Sequence, residues 1–179
     1  MDAADRPWAA DRRILRLLRY WRDGRPGPGL LPGRQAIDPV ALGPDLLPLM
    51  ALVEPIDDGR RFRFRLVGTE LARNAGLDLT GRHVDEVNPN KAYAAYISDL
   101  YSQCALMRGP LYSETRYRAP GGRTGLTRRL VCPLAADGRR IDMFIAVQTF
   151  ELDAETGAAP TYTFAEDFQP GPTLPVLCD

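Results

Sequence analysis

Histidine, lysine and cysteine are scarce in this chain, and long apolar runs are missing. His83 is the only histidine and Lys91 the only lysine. A Ser-His-Asp or Cys-His catalytic pair would have to use His83. That residue sits in Gly81-Arg82-His83-Val84, near no obvious nucleophile, which argues for a surface or capping role. Cys104, Cys132 and Cys178 are odd in number, far apart and without a C-x-x-C pair. They make neither a disulfide framework nor a zinc pattern, and reduced thiols in a cytoplasm are the plain expectation. No His/Cys/Asp/Glu cluster has metal-ligand spacing, so no metal and no cofactor is expected. Met1-Asp2-Ala3-Ala4-Asp5 is acidic and is not a signal peptide. No segment approaches the roughly 20 apolar residues of a membrane helix. Lys and Arg together number 23, as do Asp and Glu, so the net charge is zero and no global field draws nucleic acid or anionic lipid.

What is present is a set of turn signals between periodic segments. Asp11 is placed to cap a helix running to Asp23, with Gly24 as its stop. Ile14, Leu15, Leu17, Leu18 and Trp21 fall at helical spacing, and arginines fill much of the rest. Residues 26–33 are a Pro/Gly linker, and 38–48 read as a short turn of helix. Strands are expected over 49–55 and 61–67. The second alternates strictly, with Phe62, Phe64 and Leu66 on one face and Arg61, Arg63 and Arg65 on the other. A turn centred on Asp58-Gly59 sets Glu54 against Arg63 and Val53 against Phe64, a charge pair on one face and an apolar pair on the other. Helical turns follow over 69–75, ended by Gly76, and over 79–87, ended by Pro89. Asn90 caps a longer helix over 91–107, whose stripe holds Tyr93, Tyr96, Ile97, Leu100, Tyr101 and Cys104.

Residues 111–150 then read as three strands joined at Gly121-Gly122 and Asp137-Gly138, dipeptides that supply the positive φ of a short hairpin. Those turns put Glu114 opposite Arg129, Cys132 opposite Met143 and Leu130 opposite Ile145. One face collects Leu126, Leu130, Cys132, Leu134, Ile141, Met143, Ile145 and Val147, and is expected to meet the helical cover. The other collects Glu114, Arg116, Arg129, Asp142 and Gln148, relieved by Phe144, and is expected to be wetter and partly covered by the first helix through Trp21. One extra loop residue would exchange the faces. The tail after Glu151 is acidic, proline-rich and aperiodic, and is expected to be extended, frayed or laid on the surface.

The order of two strands, helices, a long helix and three strands resembles a PAS domain. Tyr20-Trp21, Phe62-Arg63-Phe64-Arg65-Leu66-Val67-Gly68-Thr69, Leu79-Thr80-Gly81-Arg82 and Asp142-Met143 are similar to a family of small single-domain PAS-like proteins of alphaproteobacteria. The resemblance implies an α+β fold with a five-stranded antiparallel sheet, a helical cover and a sensory or regulatory role. It divides the chain into an N-terminal helix and linker (1–33), a PAS-like domain (34–150) and an extended tail (151–179). It supplies no ligand. Some PAS domains hold haem through one helical histidine, which gives His83 a second reading. The reactive-cysteine segment of flavin photoreceptors has no counterpart here, and Cys104 and Cys132 are read as packing.

An apolar hollow between sheet and helices is the candidate site. On this register Phe64, Leu66, Leu130, Cys132, Met143 and Ile145 form its floor. Tyr93 and Tyr96 form a wall, and Ser113, Thr115 and Arg128 are its polar groups. An inward Arg128 would match a carboxylate ligand. The competing reading is a filled core with Arg128 snorkelling at the sheet edge. The Arg61/Arg63/Arg65 row is read as a solvated outer face rather than a phosphate reader. The first helix is read as a cap on its own sheet that also dimerises, rather than a membrane-surface helix. With no kinase, cyclase or DNA-binding segment in the sequence, a non-enzymatic module is expected. It would bind a small ligand or a protein partner and signal by contact. Two rivals stay open: a small pocket enzyme using Glu114 or Asp142, and a ligand-free structural dimer.

Overall fold

A computed structural model describes residues 7–88, 90–118, 124–152, 168 and 170–176. Helix α1 spans Arg12–Asp23. Its N-cap Asp11 accepts the Arg13 amide at 2.8 Å, and Gly24 closes its C-terminus. Ile14, Leu17 and Trp21 repeat at helical spacing and are buried. The linker is tied down, because the Leu31 amide donates to the Gly138 carbonyl and the Ala135 amide to the Pro32 carbonyl, both at 2.9 Å. A single turn, α2 (Pro39–Leu42), leads into the first strand.

Strands β1 (Met50–Ile56) and β2 (Arg61–Val67) form the first hairpin. Val53 lies opposite Phe64 and Glu54 opposite Arg63, as the sequence predicts. The strict alternation of β2 fails at its end. The pairing jumps from Val53↔Phe64 to Leu52↔Leu66, so Arg65 is the extra residue of a bulge and Leu66 turns to the opposite face. Gly68 follows because the chain runs against another backbone there: a Cβ would lie 2.3 Å from the Pro48 carbonyl oxygen. Helix α3 spans Thr69–Ala75 and ends at Gly76 in the left-handed region.

The turn of helix expected over 79–87 is not formed. That segment lies along the open edge of β2, where the Gly81 amide donates to the Phe64 carbonyl at 2.8 Å and the Val84 amide to the Phe62 carbonyl at 2.9 Å. Edge pairing gives these amides partners that one isolated helical turn would not. Pro89 lies outside the described residues. Helix α4 spans Lys91–Met107, with the Asn90 carboxamide accepting the Tyr93 amide at 3.0 Å.

Strands β3 (Leu111–Arg118), β4 (Thr124–Leu134) and β5 (Met143–Leu152) complete the body of the sheet. The tail adds one more, β6 (Thr173–Pro175), antiparallel to β3. The fold is therefore α+β with an open antiparallel sheet of six strands rather than five, in the order β2-β1-β5-β4-β3-β6. Gly171 admits the arm to this edge, since a Cβ there would lie 2.1 Å from the Glu114 carbonyl oxygen.

The long hairpins shift from the expected registers. Cys132 faces Ile145 and Leu134 faces Met143, two residues from a tight turn at Asp137-Gly138. An even shift leaves the faces intact. Glu114 faces Arg128 and Ser113 faces Arg129, one residue from a turn centred on Gly121-Gly122, which lies outside the described residues. An odd shift turns β3 over relative to β4.

The sheet separates two cores. Ile14, Leu17 and Trp21 of α1 pack on Leu130, Cys132, Leu134, Ile145 and Val147. Ile97, Leu100, Tyr101 and Cys104 of α4 pack on Val53, Phe62, Phe64, Val131, Phe144 and Ala146. The face assigned to α4 from sequence therefore meets α1, and the expected wet face is covered by α4. The physical reason is that both faces of central β4 and β5 are apolar, so alternation marks two faces without saying which helix takes which.

Candidate functional site

Between α3, α4 and the sheet the second core is not filled. A cavity of about 170 Å³ opens there. Its walls are mainly apolar: Phe64 from β2, Leu71 and Ala75 from α3, Leu79 and Val84 from the edge segment, Ile97 and Tyr101 from α4, Ala146 and Phe150 from β5. Asn88, Tyr93, Arg129 and Gln148 add polar groups to its lining. The hollow exists because the short α3 and the loop after it, not a second long helix, cover the β1–β2 end of the sheet.

Arg129 is the unusual member, being only 3% exposed. Its position follows from strand parity, since it shares the α4 face with Val131. The guanidinium donates to Gln148 Oε1 through Nε at 3.0 Å and Nη2 at 2.8 Å. It also donates to the Tyr93 hydroxyl at 3.0 Å and to Ser113 Oγ at 3.4 Å. Gln148 sits directly across the β4–β5 pair from Arg129, and Ser113 directly across β3–β4. The sheet itself therefore holds the guanidinium in place. Burial raises the Tyr93 pKa, and the charge of Arg129 works against that rise without reversing it. Tyr93 thus stays neutral at physiological pH. Burial likewise raises the Tyr101 pKa.

The expected site residues divide three ways. Phe64 and Tyr93 line the cavity. Ser113, Thr115 and Tyr96 share its side of the sheet without lining it, with Thr115 Oγ1 3.5 Å from the Tyr96 hydroxyl. Ser113 and Thr115 arrive there because the one-residue shift of β3 turns them toward α4 along with Arg129. The others are displaced. Leu130, Cys132, Ile145 and Met143 lie in the α1 core, on the reverse of the sheet. Leu66 is 46% exposed beyond the bulge. Arg128 is also on the reverse, ion-paired with Glu151 and 3.5 Å from Glu114. The Arg128 Nε is buried and has no hydrogen-bond partner among the described residues.

Arg129, Gln148 and the α3 residues were missed from sequence. The signal for Arg129 and Gln148 was their shared parity with Val131, Phe144 and Ala146, which form an apolar set of their own.

The carboxylates considered for acid-base work do not line the cavity. Glu114 accepts the Tyr112 hydroxyl at 2.6 Å on the α1 side, and Asp142 accepts the Ala136 amide at 3.0 Å in the β4–β5 loop. His83 lies outside the cavity, on the edge segment. With Asp85 and Glu86 it forms the one group among the described residues whose composition suits a metal. The Arg61 guanidinium already sits among them, 3.0 Å from Asp85, 2.6 Å from Glu86 and 2.8 Å from His83 Nδ1. Its hydrogen bonds lower the pKa of both acids. Arg63 and Arg65 pair with Glu54. Cys104 and Cys132 are buried, and burial raises the Cys104 pKa. Among the described residues no helix is long and apolar enough to cross a membrane.

An open antiparallel sheet, a short helix and a long helix closing over one face, and a hollow beneath them define a PAS-type module. A family model described as PAS domain matches residues 10–147, and the chain belongs to that family. No curated protein matches the sequence. Solved structures of VqmA are among those similar to part of this chain. They are a crystal structure of the Vibrio cholera VqmA–ligand–DNA complex and a structure of VqmA bound to DPO. Each is 16% identical with a TM-score of 0.45. The matches cover 56% of this chain and 45% and 51% of those chains, so this chain spans about half their length.

Proposed function

We propose that this chain is a sensory PAS module that binds a small molecule in the α3/α4 cavity and passes the signal on by contact, without catalysis of its own. The cavity carries the reading. A hollow of about 170 Å³ beneath a helical cover is a standing loss of packing in the α4-side core. About 150 Å³ of dry cavity accommodates benzene, so this hollow suits a ligand of one ring. The described residues that line it include no carboxylate, which weakens the pocket-enzyme rival. The structural-dimer rival predicts a filled core on both faces.

The C-terminal arm is the output element in this reading. The Phe168 ring lies 5.3 Å from that of Tyr93, edge to face, and 5.4 Å from that of Tyr96. Tyr93 is thus both cavity wall and arm contact, and a ligand that moves its ring alters the seat of Phe168. A protein partner or a second copy then reads the arm. Helix α1 is less suited to this role, because its apolar stripe is already buried on its own sheet and its outer face is rich in arginine.

Native mass spectrometry of the full chain isolated from its own host, paired with amide NMR against a library of one-ring compounds, tests the reading. The expected result is a bound small molecule, with shifts centred on Phe64, Tyr93 and Gln148. Absence of any adduct, together with a library that leaves those amides unmoved, would refute it.

A further inference from the structure

We infer that the cavity takes an uncharged, hydrocarbon-like molecule of one flat ring, seated over Ala51 and Ala146 and held by burial of its surface rather than by hydrogen bonds. This rests on the reading of the cavity as a ligand site and names the chemistry that fits it. The floor is the first observation. Ala51 and Ala146 lie directly across the β1–β5 pair, and both line the hollow. The next pair on the same face is Val53 and Phe144, and there the space up to α4 is filled, with the Phe144 ring against those of Phe62 and Tyr101. The hollow therefore begins where Phe144 gives way to a methyl group on β5. Ala75 of α3 lines it as well. Small residues on two strands and a helix leave a slot of about 170 Å³, which admits one ring and little more.

The second observation is how the polar groups are used. Arg129 donates to Gln148, Tyr93 and Ser113, and Tyr93, Arg129 and Gln148 each carry further interactions. The Asn88 carboxamide oxygen accepts the Asn90 amide at 2.8 Å. These groups are engaged with the protein itself. A ligand that needs one of these bonds has to break one to make one, and such an exchange adds little. A ligand polar group left without a partner loses its hydration for nothing. The third observation is the remaining wall. Phe64, Leu71, Leu79, Val84 and Ile97 present only carbon. Contact with them removes apolar ligand surface from water, a driving force that needs no polar partner.

Toluene, phenol and benzoate are the probes, titrated into the full chain and followed by amide NMR. Toluene is expected to shift Ala51, Phe64 and Ala146 and to bind about ten-fold more tightly than phenol, the cost of burying a hydroxyl without a partner. Benzoate is expected to bind at least about a hundred-fold more weakly than toluene, because its charge has to leave water. Ala146→Leu raises the floor and is expected to weaken toluene about ten-fold. The comparison of probes on the wild-type chain needs no variant, so the inference stays testable where Ala146→Leu does not fold. Phenol or benzoate binding these amides as tightly as toluene overturns the uncharged ligand and leaves the cavity reading standing. Toluene binding that Ala146→Leu leaves unchanged, or shifts confined to Leu17 and Val147 on the α1 side, overturns the seat on the alanine floor. If none of the three binds while another one-ring compound shifts Phe64 and Tyr93, the inference alone falls. If no one-ring compound binds, both readings fall.

Discussion

The two faces of one sheet carry opposite solutions to the same packing problem. On the α1 side, Ile14, Leu17 and Trp21 meet Leu130, Cys132, Ile145 and Val147, and these side chains are essentially unexposed. On the α4 side, Phe62, Phe144 and Tyr101 interlock at ring distances of 5.3–5.8 Å, but the neighbouring region under α3 is left hollow. The difference lies in what covers each face. A capped twelve-residue helix, α1, crosses the centre of one face, while α3 has only seven residues and ends in a glycine turn.

The largest test of that contrast is Trp21→Ala. The indole is 3% exposed and its Nε1 donates to the Pro133 carbonyl at 2.7 Å. Truncation is expected to cost about 3–5 kcal/mol, read as a lower urea midpoint at unchanged m-value. A loss under about 1 kcal/mol would mean that α1 is an appendage rather than a core element.

A sharper test adds volume on each side. Cys132 is fully buried against α1, so Cys132→Leu is expected to overpack that core and cost about 1–3 kcal/mol. Ala146 lines the hollow, so Ala146→Val has space to enter and is expected to cost less than about 1 kcal/mol or to stabilise. Thermal melts of both variants check this. Equal destabilisation would show the α4 side to be as tightly packed as the α1 side. Ala146→Val should also weaken every cavity probe, which Cys132→Leu should not.

The parts of the fold legible in sequence are those fixed by neighbours in the chain. Asp11 and Gly24 bound α1, Asn90 begins α4, and the β1–β2 register follows from Glu54 and Arg63. The site was less legible because it depends on relations between distant segments. Val131, Phe144 and Ala146 make the second face as apolar as the first, so period 2 could not decide which helix would cover which. That single ambiguity moved Leu130, Cys132, Met143 and Ile145 out of the cavity and exchanged Arg128 for Arg129. The Arg65 bulge was hidden because alternation of Phe62, Phe64 and Leu66 continues in the letters while the backbone breaks phase. Strand β6 was hidden because three residues, preceded by Pro172 and ending in Pro175, carry no periodic signal. What recruits them is an edge of β3 already in place and a glycine at 171 that lets the two backbones meet.

The smallest expected effect separates the anchors of the two helices by pH. Helix α4 is capped by the uncharged amide of Asn90, whereas α1 is capped by a carboxylate. Burial works to raise the Asp11 pKa, but hydrogen bonds from the Arg13 side chain and amide and from Thr149 outweigh it and hold it at about 2, against an ordinary 3.8. A depressed carboxylate favours the folded state fully above its unfolded value and loses that contribution as pH falls from 3.8 through about 2. Acid should therefore loosen α1 from the sheet before it touches α4. Asp11→Asn keeps a capping oxygen but removes the charge, so it is expected to be less stable than wild type by about 1 kcal/mol at neutral pH. The gap should close as the wild type is protonated. Urea melts across the acid limb, with amide exchange read separately at Leu17 and Leu100, make the comparison. A constant gap down to pH 2, or earlier exchange at Leu100 than at Leu17, would show that Asp11 is not what pins α1 to the sheet.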